Sequence, residues 1–297
     1  MRLIERLSEF RPADSITVIF SFFLTILVGI FYEKIPSAGY LIVIYSLLIF
    51  FQVVIIYLSR INSFLMLTRD IIFPVMSVLI IFDSLGLIVH RINPQDIDYL
   101  LIRLDYIIFG TYPTVVMEKI TTPLLTDILQ VAYSTYYFIP IVLGIALKFQ
   151  RKKEEFEKTL FLILFCFYLS YIGYIMFPAL GPRYAMQHLH ENELGGFLVS
   201  QPIQNLLNLL EGVKRDAFPS GHTGVALTAL FLSYIYTRRF FLVLLIPVIL
   251  LIIATVYCRY HYVVDIIGGI LLTVVTIVIG EVYYKFWTDK VNGNTIR

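Results

Sequence analysis

Two short stretches concentrate the reactive side chains of this sequence. The first is Pro219-Ser220-Gly221-His222. The second is Arg259-Tyr260-His261, with Asp265 four residues after the histidine. An imidazole can attack an electrophile or move a proton, and a carboxylate four residues on shares its helical face and can orient it. Serine and arginine hold anionic oxygens, arginine through a bidentate fork. Such an inventory, set at the edges of long apolar runs, suits phosphoryl transfer at a membrane surface.

Each element has a local logic. Ser220 is a favoured N-cap, Pro219 helps to fix the entry of the chain, and the first helical turn offers free N–H groups and the positive end of the helix dipole to an anion. Gly221 leaves room for that anion, and His222 points toward it from the first turn. The plain alternative is a capped helix with an interfacial histidine. Asp265 would sit about one turn below the interface, where an unpaired carboxylate is expensive, and His261 is its nearest partner. A structural His–Asp hydrogen bond is the alternative there. Arg183 follows Phe177-Pro178-Ala179-Leu180-Gly181-Pro182, whose two prolines and glycine hold it in a fixed turn. Arg183 and Arg259 suit phosphate oxygens, or else anchor lipid headgroups.

The elements that must position these residues are helices. The chain has 297 residues, of which 59% are hydrophobic and only 15% charged, and its mean hydropathy is +0.82. A soluble domain carries about 25% charged residues. Eight apolar runs are long enough to cross a core of roughly 30 Å. They are Ser15–Tyr32, Gly39–Leu58, Ile71–His90, Leu124–Lys148, Thr159–Phe177, Ser220–Thr237, Phe240–Tyr257 and His261–Tyr284. The expected fold is therefore all-α and polytopic. Met1–Arg11 reads as an interfacial amphipathic helix with Leu3, Ile4, Leu7 and Phe10 on its apolar face, followed by a retained first span and not a cleaved signal. Asp96–Thr122 is too polar to span and too apolar for a loop, and is expected to lie on the outer surface as amphipathic helix. Leu198–Leu210 is a second such piece. Gly268 and Gly269 read as close helix packing.

Cys166 and Cys258 give neither a disulfide framework nor a metal-ligand spacing, and a net charge of +2 points to no nucleic-acid partner. Loop charges set the orientation. Fifteen lysines and arginines fall on the side of the termini, among them Arg11, Arg60, Arg69 and Lys148, and eight on the other. Both termini are thus expected in the cytoplasm. Arg183, Ser220, His222, Arg259 and His261, delivered by three loops, then share the outer face, as an active site requires.

The order Arg183, Pro219-Ser220-Gly221-His222, then Arg259 with His261 and Asp265, resembles the type 2 phosphatidic acid phosphatase superfamily, which includes vanadium haloperoxidases. The resemblance covers roughly Ile71 to Tyr284. It implies a six-helix catalytic core within residues 61–297, preceded in residues 1–60 by the interfacial helix and two additional spans. It also implies a mechanism without metal or other cofactor. His261 would attack phosphorus, Asp265 would orient it, His222 would protonate the leaving oxygen, and Arg183, Arg259, Ser220 and the Gly221 backbone would hold the phosphoryl oxygens. The sequence departs from the usual pattern in that position 176 is Met where a lysine is common, and Arg259 stands closer to the histidine than the usual arginine, whose place is taken by Thr255. Arg-Tyr-His-Tyr, Gly-Pro-Arg and the stretch Asp105 to Pro140 are similar to the branch with inositol phosphorylceramide synthases, whereas Gly221 is phosphatase-like.

The expected function is removal of phosphate from a phosphorylated membrane lipid, a phosphomonoester or pyrophosphate, at the extracytoplasmic leaflet of a cell membrane. Transfer of a phospho-headgroup such as inositol phosphate between lipids is the enzymatic alternative. A transporter using Asp83, His222 and Asp265 as an ion path is the non-enzymatic one. The absence of paired, glycine- or proline-broken spans in matching halves speaks against it.

Overall fold

The computed structural model describes residues 9–210 and 213–295, with the side chains of 206–210 and 290–295 excepted. Leu3, Ile4 and Leu7 of the expected interfacial helix lie outside the described residues. The described chain is all-α, the architecture of a polytopic membrane protein. Among the described residues six helices are long and apolar enough to cross a bilayer, namely α1 (Pro12–Ile30), α2 (Ala38–Leu58), α3 (Ser63–Ile92), α8 (Lys153–Met176), α11 (Arg238–Tyr257) and α12, whose apolar part is Val263–Asp289 of a helix running to Thr295.

Two expected spans take other forms. Leu124–Lys148 is not one straight helix but α6 (Pro123–Tyr137) and α7 (Ile139–Phe149), bent by 53°. Pro140 lies in the first turn of α7. It lacks an N–H and crowds the carbonyl four residues before it, so one helix cannot run through. The sixth span, α10 (Gly221–Tyr236), has 16 residues and is enclosed by its neighbours α8, α11 and α12. The segment expected on the surface forms α4 (Asp98–Phe109) and α5 (Pro113–Ile120), set at 67°. Gly110, at φ 68°, ends α4, and Pro113 opens α5. Ser200–Leu210 is helical too (α9) and packs on α6.

Helix ends follow the sequence. Asp14 at the third position of α1 accepts from the Arg11 N–H at 3.0 Å, and Thr122 caps α6 by accepting from the Leu125 N–H at 3.3 Å. The hub is α8. Its apolar window is 61% buried against 33–44% for the other long spans, and it packs on α1, α3, α7, α10 and α12. At the end of the molecule away from the histidines, Arg11, Asp14, Arg69, Asp70 and Lys148 form an ion network. Arg11 reaches Asp70 at 2.7 Å, Lys148 binds the other Asp70 oxygen, and Arg69 binds Asp14. Basic residues of three loops expected on one membrane face thus meet at one end.

Candidate active site

The site forms where two chain turns are tied to the start of α12. The Ser220 N–H donates to the Asp265 carbonyl at 3.0 Å, so the loop before α10 sits on the first turn of α12. α12 approaches this loop so closely that a Cβ on Gly269 would lie 2.7 Å from the Ser220 carbonyl oxygen, which is close packing as the sequence suggested. The Arg183 N–H donates to the Arg259 carbonyl at 2.8 Å and the Ala217 N–H to the Ala179 carbonyl at 3.1 Å, which brings in the Gly-Pro-Arg turn. Gly181 is required in that turn. Its φ is +84°, and a Cβ there would stand 2.5 Å from the Tyr260 carbonyl oxygen. Arg259 itself takes φ +62°, a strained conformation for a side-chain-bearing residue.

Both histidines and the aspartate meet in the interior, with His261 only 3% exposed and Asp265 not at all. His261 Nδ1 faces the Ala217 carbonyl at 2.8 Å and Asp265 Oδ2 at 3.4 Å. The carbonyl only accepts, and so does the ionised carboxylate, so Nδ1 carries the proton and the lone pair is on Nε2. That nitrogen points at His222 Nδ1, 3.3 Å away. Asp265 is fixed from a second side, since the Tyr262 N–H donates to the same Oδ2 at 2.8 Å as in a helix N-terminal capping box. Burial works against a charged His261, but Asp265, Asp216 and the Ala217 carbonyl outweigh it and hold the imidazole above its ordinary 6.5. His222 is gripped by aromatic rings of the bent span, with Tyr133 at 4.5 Å and Tyr136 at 4.2 Å between centroids.

Two cavities converge here. A polar cleft of about 440 Å³ is lined by His261, Arg183, Lys214, Asp216, Tyr133, Tyr184 and Tyr260, with Leu180 and Val213. An apolar groove of about 1030 Å³ runs between α3, α7 and α8 from His222 and Asp216 to Asp70 in the ion network. The structure therefore brings together Arg183, His222, His261 and Asp265. Ser220, Gly221 and Arg259 stand back from the cleft wall. Ser220 is fully buried and caps α10, accepting from the Thr223 N–H at 3.2 Å. A Cβ on Gly221 would lie 2.3 Å from the Tyr174 hydroxyl, so this glycine lets α10 meet α8. Arg259 donates to Glu118 Oε1 at 2.6 Å and to the Asn192 carbonyl at 2.7 Å. Burial lowers its pKa and Glu118 opposes that. Asp83 is exposed on α3 and lines neither cavity.

Sequence reasoning missed the aspartates that clamp the loops. Asp98 accepts from the Leu180 and Gly181 N–H groups, both at 2.9 Å, and from the Tyr262 hydroxyl at 2.8 Å. Asp105 accepts from the Val263 and Val264 N–H groups at the start of α12. Asp127 takes four N–H groups, Phe197 to Ser200, and anchors α9. The heptad spacing of Asp98 and Asp105 on one face of an otherwise apolar helix was the available signal. Lys214 and Asp216, directly before the Pro-Ser-Gly-His element, were missed as well. Among the described residues no cluster of three histidine, cysteine or acidic side chains is arranged to hold a metal ion.

The sequence profile of the PAP2 superfamily matches residues 101–279, which contain Arg183, His222, His261 and Asp265. The chain belongs to that superfamily. A PA-phosphatase related-family protein of Dictyostelium discoideum is 26% identical over 53% of this chain and 32% of its own length. A phosphoinositol dihydroceramide synthase of Bacteroides thetaiotaomicron is 23% identical over 54% of this chain and 56% of its own. The chain thus spans about a third of the first relative and just over half of the second. No solved structure matches significantly.

Proposed function

We propose that this protein is an integral membrane lipid phosphatase that removes phosphate from a phosphorylated lipid through a phosphohistidine, without a metal. The observation that carries the reading is the His261 Nε2 to His222 Nδ1 contact of 3.3 Å at the meeting point of a polar cleft and an apolar groove. The phosphoryl group enters the cleft, where Arg183 and Lys214 supply positive charge, and the alkyl part lies in the groove. His261 Nε2 attacks phosphorus while Asp265 and the Ala217 carbonyl hold the proton on Nδ1. His222, at the head of the groove, protonates the departing lipid oxygen. Water then resolves the intermediate. Binding of phosphate by Ser220, Gly221 and Arg259 belongs to the proposal as a finer expectation. The excess of basic loop residues at the ion-network end supports cytoplasmic termini and an extracytoplasmic site.

A second reading is transfer of a phospho-headgroup to a lipid alcohol. The relative in Bacteroides, a phosphoinositol dihydroceramide synthase, and the apolar groove that meets the site at His222 favour it. Phosphate release by purified protein in detergent with EDTA, across a panel of phosphorylated lipids, separates the readings. Release that vanishes in His261→Ala is expected. Absence of release from every lipid, with product formed only when a lipid alcohol is added, would replace hydrolysis by transfer.

A further inference from the structure

The two histidines are reached from different cavities. His261 lines the cleft, His222 lines the groove, and Asp216 alone among the described residues lines both. Its backbone is held in place. Arg215 next to it donates to Asp96 Oδ1 at 2.6 Å, and the Ala217 N–H on its other side donates to the Ala179 carbonyl. This inference rests on the phosphohistidine reading. Once the lipid alcohol has left along the groove with the proton of His222, a hydroxyl must attack phosphorus in line with the bond to Nε2. The cleft offers few groups that could take the proton of that hydroxyl. His222 has given up its proton but faces the groove, and on the cleft side Arg183 and Lys214 are cations, the tyrosine hydroxyls already carry protons, and His261 is occupied. Asp216 is the one carboxylate in the cleft wall among the described residues.

We propose that Asp216 is the catalytic base of the second step, which receives the proton of the attacking hydroxyl as that oxygen bonds to phosphorus. The phosphorus–Nε2 bond breaks and its electron pair returns to the imidazole of His261. Asp216 then passes the proton to His222, with which it shares the groove, and the starting protonation is restored. Water gives inorganic phosphate, and a lipid hydroxyl arriving by the groove would give the phosphorylated lipid, through the same carboxylate. Burial pushes the Asp216 carboxyl up to about 6 while His261 pulls it back. It is thus ionised at neutral pH yet more basic than an ordinary carboxylate.

The test is rapid-mixing kinetics of Asp216→Asn on whichever lipid the wild type turns over, reading release of the lipid alcohol and phosphate on His261 together. The expected result is a first-turnover burst within a few-fold of wild type, steady-state turnover about 100-fold lower, and phosphohistidine that accumulates. Rescue of Asp216→Ala turnover by added formate is the second expectation and guards against misfolding. Burst and turnover falling by the same factor without formate rescue, or turnover unchanged, would overturn the proposal. Turnover that survives His261→Ala would instead remove the phosphohistidine itself, a failure distinct from any result with Asp216 variants.

Discussion

Two imidazoles 3.3 Å apart have opposite tasks in the proposed reaction. The leaving oxygen of an alkyl phosphate needs a proton, whereas that of a nitrophenyl phosphate does not. His222→Ala is therefore expected to lower turnover of a lipid phosphate by about 100-fold and to spare much of the turnover of an aryl phosphate. Parallel assays with the two substrates check this, and equal losses would contradict it. His261 carries a second prediction. Its Nε2 lone pair is needed for attack, and the imidazole is held above 6.5. The group is protonated and unreactive at low pH, so the burst rate should climb with pH through a value above 6.5. The same raised value stabilises the fold at acid pH, and that contribution is lost as pH rises through it. A burst rate that falls across this range would contradict the assignment.

At the scale of elements, short polar contacts aim the reactive groups. Asp98→Ala would leave two loop N–H groups and the Tyr262 hydroxyl without their acceptor. A loss of about 3 kcal/mol is expected, with a larger loss of activity than of fold, because the Arg183 turn and the His261 loop come apart together. Denaturant unfolding beside turnover measures both. The groove gives another prediction. Gly144 lines it, and a Cβ there would meet the Phe156 ring at 3.4 Å, an ordinary contact. Gly144→Leu would narrow the groove partway down and should raise KM for long-chain lipids while leaving short-chain ones unchanged. A chain-length series checks it.

The spans and the histidine elements were legible because hydropathy and the pairing of Pro-Ser-Gly-His with His-x-x-x-Asp are local signals. The 53° break at Pro140 was not read, although it places Tyr133 and Tyr136 on His222. A proline inside an apolar run does not say whether the span bends or ends. Asp98, Asp105 and Asp127 act on groups distant in sequence, and the seven-residue spacing of the first two marks a shared face without naming those partners. The second turn of the site looked like phosphate contacts at Ser220 and Gly221. The structure shows Ser220 as the cap of α10 and Gly221 at its crossing with α8, and phosphate binding by the two stays part of the proposal.

At the scale of the whole molecule, two ends with different chemistry flank one apolar body. The ion network of Arg11, Asp14, Arg69, Asp70 and Lys148 closes the groove opposite the histidines. Asp70→Asn would leave Lys148 without its carboxylate and Arg11 with Asp14 alone, and should cost about 3 kcal/mol, with KM unchanged for the folded fraction. The proposed sidedness is open to a direct test. Cys166 and Cys258 are buried and free, so a single added thiol reports without background. Lys214→Cys is expected to react with a membrane-impermeant maleimide from the extracytoplasmic side of oriented vesicles, and labelling from the cytoplasmic side alone would invert the topology.

The central claim is that phosphate passes through His261. The most direct measurement is to quench the protein at short times during turnover of a labelled phospholipid and locate the label by mass spectrometry. An acid-labile, base-stable phosphate is expected on Nε2 of His261, absent in His261→Ala and in greater amount in Asp216→Asn. Turnover with no label on the protein, or label on any other residue, would contradict it.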